Sequence, residues 1–225
     1  KGCIILTDAT AYGIMTDYGQ QIIRREIRHL IMPDLVKSMS RDRDTVHTLV
    51  TFFNALLEEG IYRTATYAEH LQHDTPVKCG LIASLAKGTL LDGRHRWSQV
   101  GFISRMLPIS YDYGAATQSE IHKSIARRDY RSDKPLHLKL PEDDVEVELP
   151  SPQADDLLVL SSGLSNLLTT PGKNAQKIYG FRLQKHIQRL AMASAIKEGR
   201  DKVSQSDVDK IKSLIGCVNL EYYPI

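Results

Sequence analysis

Residues 77–113, VKCGLIASLAKGTLLDGRHRWSQVGFISRMLPISYDY, decide the fold class. The apolar run from Val77 to Ser84 predicts a buried strand. A turn follows, then a helix ending near Arg105, then a second strand over Ile109–Tyr113 just after Pro108. Strand, helix and strand in succession are the unit from which parallel sheets are built.

Upstream, the pattern repeats. Gly2–Leu6 (GCIIL) is a short apolar run rich in β-branched residues, which leads through Thr7-Asp8-Ala9-Thr10 into a short helix around Ala11–Tyr18. Residues 20–28 are polar and basic and read as helical. His29–Met32 is a second buried strand, ended by Pro33-Asp34, where a proline suits a strand end because no further ladder donor is needed. Asp44 is expected to cap a helix in which Val46, Leu49, Val50, Phe53, Leu56 and Leu57 recur at helical spacing, with Gly60 as its stop. Tyr62–Tyr67 reads as a strand and the residues from there to Pro76 as a polar loop. Residues 1–113 are therefore expected to form an α/β core, a mostly parallel sheet flanked by helices.

Downstream of Tyr113 the character changes. Thr117–Arg128 reads as a helix, and residues 129–150 as a charged, proline-punctuated segment with a hairpin at 136–149 (Leu136–Leu140 with Val145–Leu149). Ser151–Leu168 and Lys173–Lys197 are predicted helices. Leu183, Ile187, Leu190, Ala191 and Ser194 give the second of these one apolar or small face, and Gly199 ends it. Ser204 and Asp207 have the spacing of a capping box for a last helix, Gln205–Cys217. Residues 114–225 are expected to be a mainly helical second domain.

Composition narrows the function classes. The 225 residues are 42% hydrophobic and 25% charged, ordinary for a soluble globular protein. Three scattered cysteines, Cys3, Cys79 and Cys217, read as free thiols of a reducing compartment, so a cytoplasmic location is expected. A net charge of +2 provides no global basic field, and basic clusters such as Arg127, Arg128 and Arg131 are offset by Glu142-Asp143-Asp144. No apolar run approaches the ~20 residues that span a bilayer, so no membrane partner is expected. The eight histidines lack metal-ligand spacing, and Trp97 and Phe102 read as core.

Four residues could carry chemistry. Asp34 follows a buried strand, at the carboxyl edge where open α/β sheets bind ligands. It either holds a metal or its water shell, or simply caps the short helix Leu35–Ser38. Ser84, also at a strand end, could orient an attacking water. Arg105, at a helix end, could reach across a subunit boundary to a transferring phosphoryl group, or could compensate a helix dipole. Arg182, early in a helix, could close over a γ-phosphate, or could be an ordinary solvated arginine like Arg189.

In order, strand–Asp34, strand–Ser84, Arg105 and Arg182 resemble Walker B, sensor 1, arginine finger and sensor 2 of an AAA+ ATPase. GFISRMLPISY is similar to the finger segment of these proteins, including minichromosome-maintenance-type helicases. YGFRLQKHIQRLAMASAIKEGRDKVSQSDV resembles their helical lid. HLIMPDLVKSMSRDRDTVHTLVTFFNALLEEGI with YRTATY is similar to phage- and mobile-element-type ATPases.

The resemblance implies ATP and Mg²⁺ as cofactors, Asp34 as metal ligand, Ser84 and Arg105 in catalysis, and Arg182 as a nucleotide contact. It further implies a homo-oligomeric ring or filament and action on DNA or a DNA-bound protein. Two departures accompany it. The phosphate-cradling G-x-x-x-x-G-K-[ST] loop is nowhere in the 225 residues and is expected ahead of Lys1, and Leu35 stands where a catalytic glutamate usually follows Asp34. Asp34 itself could fill the catalytic position with Pro33 in the metal position, or Glu58 or Glu59 could substitute. The alternative is a scaffold of the same architecture that binds partners and hydrolyses nothing.

Overall fold

The computed structural model describes residues 2–65, 70–110, 113–129, 141, 145–169 and 177–218. The chain is α/β: a small parallel sheet of three strands flanked by helices, followed by a helical C-terminal region. Its residues fall into two compact units. The first comprises Lys1–Leu107, Leu167–Ile178 and Tyr222–Ile225, and the second Pro108–Asn166 and Tyr179–Glu221. Among the described residues no helix is long and apolar enough to cross a membrane.

In the first unit, β1 (Cys3–Ile5), β2 (His29–Met32) and β5 (Gly80–Ala83) run parallel in the order β1-β2-β5. Cys3 pairs with His29, and His29 with Gly80, so the register is direct across all three strands. The period of two then separates two faces. Leu30 and Met32 are fully buried, as are Ile14 and Ile22 of α1 (Ala11–Ile23) and Leu49 and Phe53 of α3 (Arg43–Asn54). On the opposite face Ile5, Ile31 and Ile82 form one cross-strand row, in which Ile5 is 65% and Ile82 60% exposed.

Local chemistry explains the helix boundaries. Thr10 accepts from the Gly13 N–H at 3.0 Å and starts α1. That helix is longer than expected and then stops short of residues 24–28, because Arg25 takes a left-handed backbone with φ 59°. A short α2 spans Val36–Met39, one residue beyond the predicted Leu35–Ser38. Asp42 rather than Asp44 caps α3: its carboxylate accepts from the Thr45 N–H at 2.9 Å and the Thr45 hydroxyl at 2.6 Å, while Asp44 lies inside the first turn.

α3 continues into a π-helical turn, Ala55–Glu59, and Gly60 ends it at φ 82°, ψ 152°. That conformation is essentially restricted to glycine, and a Cβ there would collide with Pro76.

Three strand expectations need correction. Residues 70–76 are not a loop: β3 (Ile61–Ala65) and β4 (His70–Val77) pair antiparallel as a separate two-stranded sheet, with a register shift between Ile61 and Arg63. The pairing is non-local, and its polar composition hid it. The predicted strand Val77–Ser84 is accordingly two pieces. The hairpin ends at Val77, and the chain enters the parallel sheet at Gly80, with the Cys79 N–H donating to Leu56 O at 3.1 Å at the junction.

The third correction concerns Ile109–Tyr113, where residues 109, 110 and 113 lie in no strand and 111–112 fall outside the described residues. The Ser110 N–H instead donates to Cys217 O at 2.9 Å. Between these segments, α4 (Lys87–Gln99) ends earlier than predicted, and Arg105 closes a separate 3₁₀ turn, Ile103–Arg105.

The second unit holds α5 (Ala115–Arg127), most of α6 (Ser151–Leu168), α7 (Phe181–Lys197) and α8 (Gln205–Gly216). Leu157, Ile187, Ala191, Ala195, Val208 and Ile211 form its core, as the 3.6-residue spacing on α7 requires. Leu190, expected on that face, is exposed. The predicted hairpin at 136–149 is not seen as such. Its first half lies outside the described residues, and in the second half only Glu148 makes a bridge, parallel, to Lys202.

Candidate functional site

The parallel register brings three loop starts to one edge of the sheet: Asp8 after β1, Asp34 after β2 and Ser84 after β5. Asp34 and Ser84 are adjacent. The Ser84 N–H donates to Met32 O at 3.0 Å, the Leu35 N–H donates to Ser84 O at 2.9 Å, and the Ser84 hydroxyl donates to Pro33 O. Ser84 thereby grips the backbone on both sides of Asp34. The Asp34 carboxylate is exposed and accepts from the Val36 N–H at 2.9 Å, the local capping contact weighed above. One backbone donor leaves carboxylate lone pairs available to a hydrated cation.

Sequence reasoning misses Asp8, although it follows its strand just as Asp34 follows β2. Its carboxylate is saturated. Oδ1 accepts from the Ala9 N–H at 2.9 Å and the Ser38 hydroxyl at 3.0 Å, while Oδ2 is 2.7 Å from Arg41 and 3.3 Å from Lys37. Burial alone would raise the Asp8 carboxyl, but hydrogen bonds from Arg41, Ser38 and Lys37 outweigh it and hold the group at about 2. Asp8 is thus an anion at neutral pH that ties the β1–α1 loop to Lys37 and Ser38 of α2 and to Arg41 ahead of α3. Of the two edge carboxylates, Asp34 is the one open to a ligand.

Arg105 sits in a cluster of its own. Its side chain is 7% exposed, with Nε 2.8 Å from Glu58 and Nη2 2.8 Å from Glu59, both on the π-helical turn. Nη1 donates to Gly101 O at 2.9 Å. Gly101 has φ 74°, and a Cβ there would press on Nη1, so glycine is what lets the guanidinium fold back. None of these contacts involves Asp34 or Ser84. Arg182 is exposed in the first turn of α7, in the second unit.

Among the described residues no group of three or more His, Cys, Asp or Glu side chains is arranged to hold a metal ion. Burial pushes the Cys79 thiol up to about 11, which makes it a packing group and not a nucleophile. Residues 171–173, the only Pro-Gly-Lys in the chain, include no described position.

The sequence matches no known protein-family model and no curated protein.

Proposed function

We propose that this chain is the portion of an AAA+-type ATPase that follows the phosphate-binding loop, coupling ATP binding and hydrolysis between subunits to remodelling of DNA or a DNA-bound partner. The observation that carries the reading is the pairing of Asp34 and Ser84 at the carboxyl ends of two hydrogen-bonded parallel strands. That edge is where α/β sheets bind ligands, and a carboxylate beside a hydroxyl there suits a hydrated Mg²⁺ and a water.

The residues present fit the two implied cofactors unequally. Asp34 suits the metal, while the triphosphate cradle has no counterpart among the 225 residues, so under this reading a further segment supplies it. The open sheet face bearing Ile5, Ile31 and Ile82 supports such a segment, because parallel sheets are covered on both faces. When bound, Mg²⁺ neutralises charge on the phosphates. The chain's own part is to orient water through Ser84 and to offer cations in Arg105 and Arg182. For Arg105 to act on a neighbouring subunit, its guanidinium must leave Glu58 and Glu59.

That last point favours a second reading, a non-hydrolysing scaffold of the same architecture in which the Arg105 cluster is purely structural. ATP turnover and ATP-dependent assembly of the protein decide between them. Turnover that vanishes in Asp34→Asn with nucleotide binding retained supports the ATPase. Neither turnover nor any nucleotide-dependent change in mass leaves the scaffold.

A further inference from the structure

α7 contains no acidic residue, and its exposed positions include Arg182, Lys185 and Arg189, spaced three and four apart so that they share one side of the helix. This is a local concentration of positive charge in a protein whose net charge is only +2. At the N-terminal end of that stripe stand two aromatic side chains, Tyr179 and Phe181, which are 69% and 71% exposed. Their rings lie nearly parallel, 8° between planes with centroids 6.2 Å apart. Gly180 between them takes φ 78°.

Burial of apolar area does not explain this pair. Aromatic side chains are ordinarily among the largest contributors to a core, yet the core of this unit is built from Leu157, Ile187, Ala191 and Val208 instead. Two large rings held parallel to each other in solvent, next to the exposed cations Lys185 and Arg189, have the two features that single-stranded nucleic acid recognises: a π-face for a base and positive charge along its backbone.

We infer that Tyr179 and Phe181 form a stacking platform for the bases of single-stranded nucleic acid, with Lys185 and Arg189 tracking the phosphates along α7. The occupant is single-stranded because a duplex keeps its base faces stacked on one another. The inference rests on the proposed function only in taking nucleic acid as the partner, and its test uses no ATP, so the two stand or fall separately.

The experiment is fluorescence anisotropy of the whole chain with a 5′-labelled oligothymidylate, at two salt concentrations. An oligouridylate and a duplex of matched length serve as comparisons. Binding should favour either single strand over the duplex. The Tyr179→Ala/Phe181→Ala pair should weaken binding about tenfold or more, as loss of base stacking does. Lys185→Gln and Arg189→Gln should each weaken it and flatten the salt dependence by about 0.7 in the logarithmic slope.

All four side chains are exposed, so the variants should keep the parent melting temperature, which circular dichroism checks. Oligonucleotide binding that is undiminished in the aromatic pair variant overturns the platform. So does a pair variant that dissociates an oligomer while binding the oligonucleotide normally, since the rings would then be covered by a second copy of the chain.

Discussion

Ser84 holds Asp34 from both sides: its N–H donates to Met32 O at 3.0 Å, two residues before, and its carbonyl accepts from the Leu35 N–H at 2.9 Å, one residue after. Neither bond uses the serine hydroxyl. Backbone grip and side-chain chemistry at this position are therefore separable by mutation.

Ser84→Ala should keep both backbone bonds and lose only the exposed hydroxyl contact to Pro33 O, at a cost below about 1 kcal/mol in urea unfolding. If the hydroxyl orients water, turnover should fall by about 10²-fold at unchanged stability. Unchanged turnover in an active preparation would remove Ser84 from the chemistry.

Arg105 is expected to contribute to stability as well as to any catalytic role. Its side chain is 7% exposed, yet the Glu59 side chain is 63% exposed, so the cluster lies between a surface and a buried ion pair. Arg105→Ala should cost about 1–3 kcal/mol, intermediate between the two cases. Glu58→Gln/Glu59→Gln releases the guanidinium while keeping it in the chain. A finger role predicts turnover retained in that double variant and abolished in Arg105→Ala; loss in both with a matching fall in melting temperature would mark the cluster as structural.

Asp207 should be among the most sensitive positions of the second unit. It is fully buried and accepts two bonds from Arg200 at 2.7 and 2.8 Å, one from the Ser194 hydroxyl at 2.7 Å, and two from Ser204 at 2.9 Å. Asp207→Ala removes the shared acceptor of Ser194, Ser204 and Arg200, and because Arg200 is 35% exposed and keeps Lys202 O it should destabilise this unit by about 3 kcal/mol, the low end for a buried pair. A loss under 1 kcal/mol by calorimetry would contradict the network.

Acid should unfold the protein through the same groups. The Arg200 hydrogen bond, outweighing burial and helped by Ser204 and Ser194, holds the Asp207 carboxyl well below the usual carboxylate range, and Asp8 sits at about 2 against an ordinary 3.8. Carboxylates with depressed folded values stabilise above their unfolded value and lose that contribution as pH falls through the folded one. The melting temperature should therefore hold above about pH 4 and drop towards pH 2. Asp8→Asn should melt lower at neutral pH and show a shallower acid limb; a parallel displacement of the whole curve would argue against Asp8 as a contributor.

Gly60→Ala places a side chain at φ 82°, ψ 152° and against Pro76. The backbone term alone is about 1–3 kcal/mol. A thermal shift within error of the parent would mean that the turn between the π-helical segment and β3 relaxes freely.

Features that depend on near neighbours along the chain can be read from the residues alone. A strand within Gly2–Leu6, the strand His29–Met32, the span Ser151–Leu168, the capping box of Ser204 and Asp207, and the buried faces of α3 and, Leu190 apart, of α7 are legible, because side-chain period and local capping bonds act within a turn or two. Asp34 and Ser84 were legible as strand-end residues for the same reason.

Features that depend on distant partners emerge only in the folded chain. Pairing with β3 turned the polar residues before Pro76 into a strand, and Cys217 claimed the backbone of Ser110. Arg105 met Glu58 and Glu59 across more than forty residues of chain, and Asp8 met Ser38 and Arg41 across about thirty. Backbone hydrogen bonds and ion pairs of that kind are settled by which segments come together in space, and no local period along the sequence encodes them.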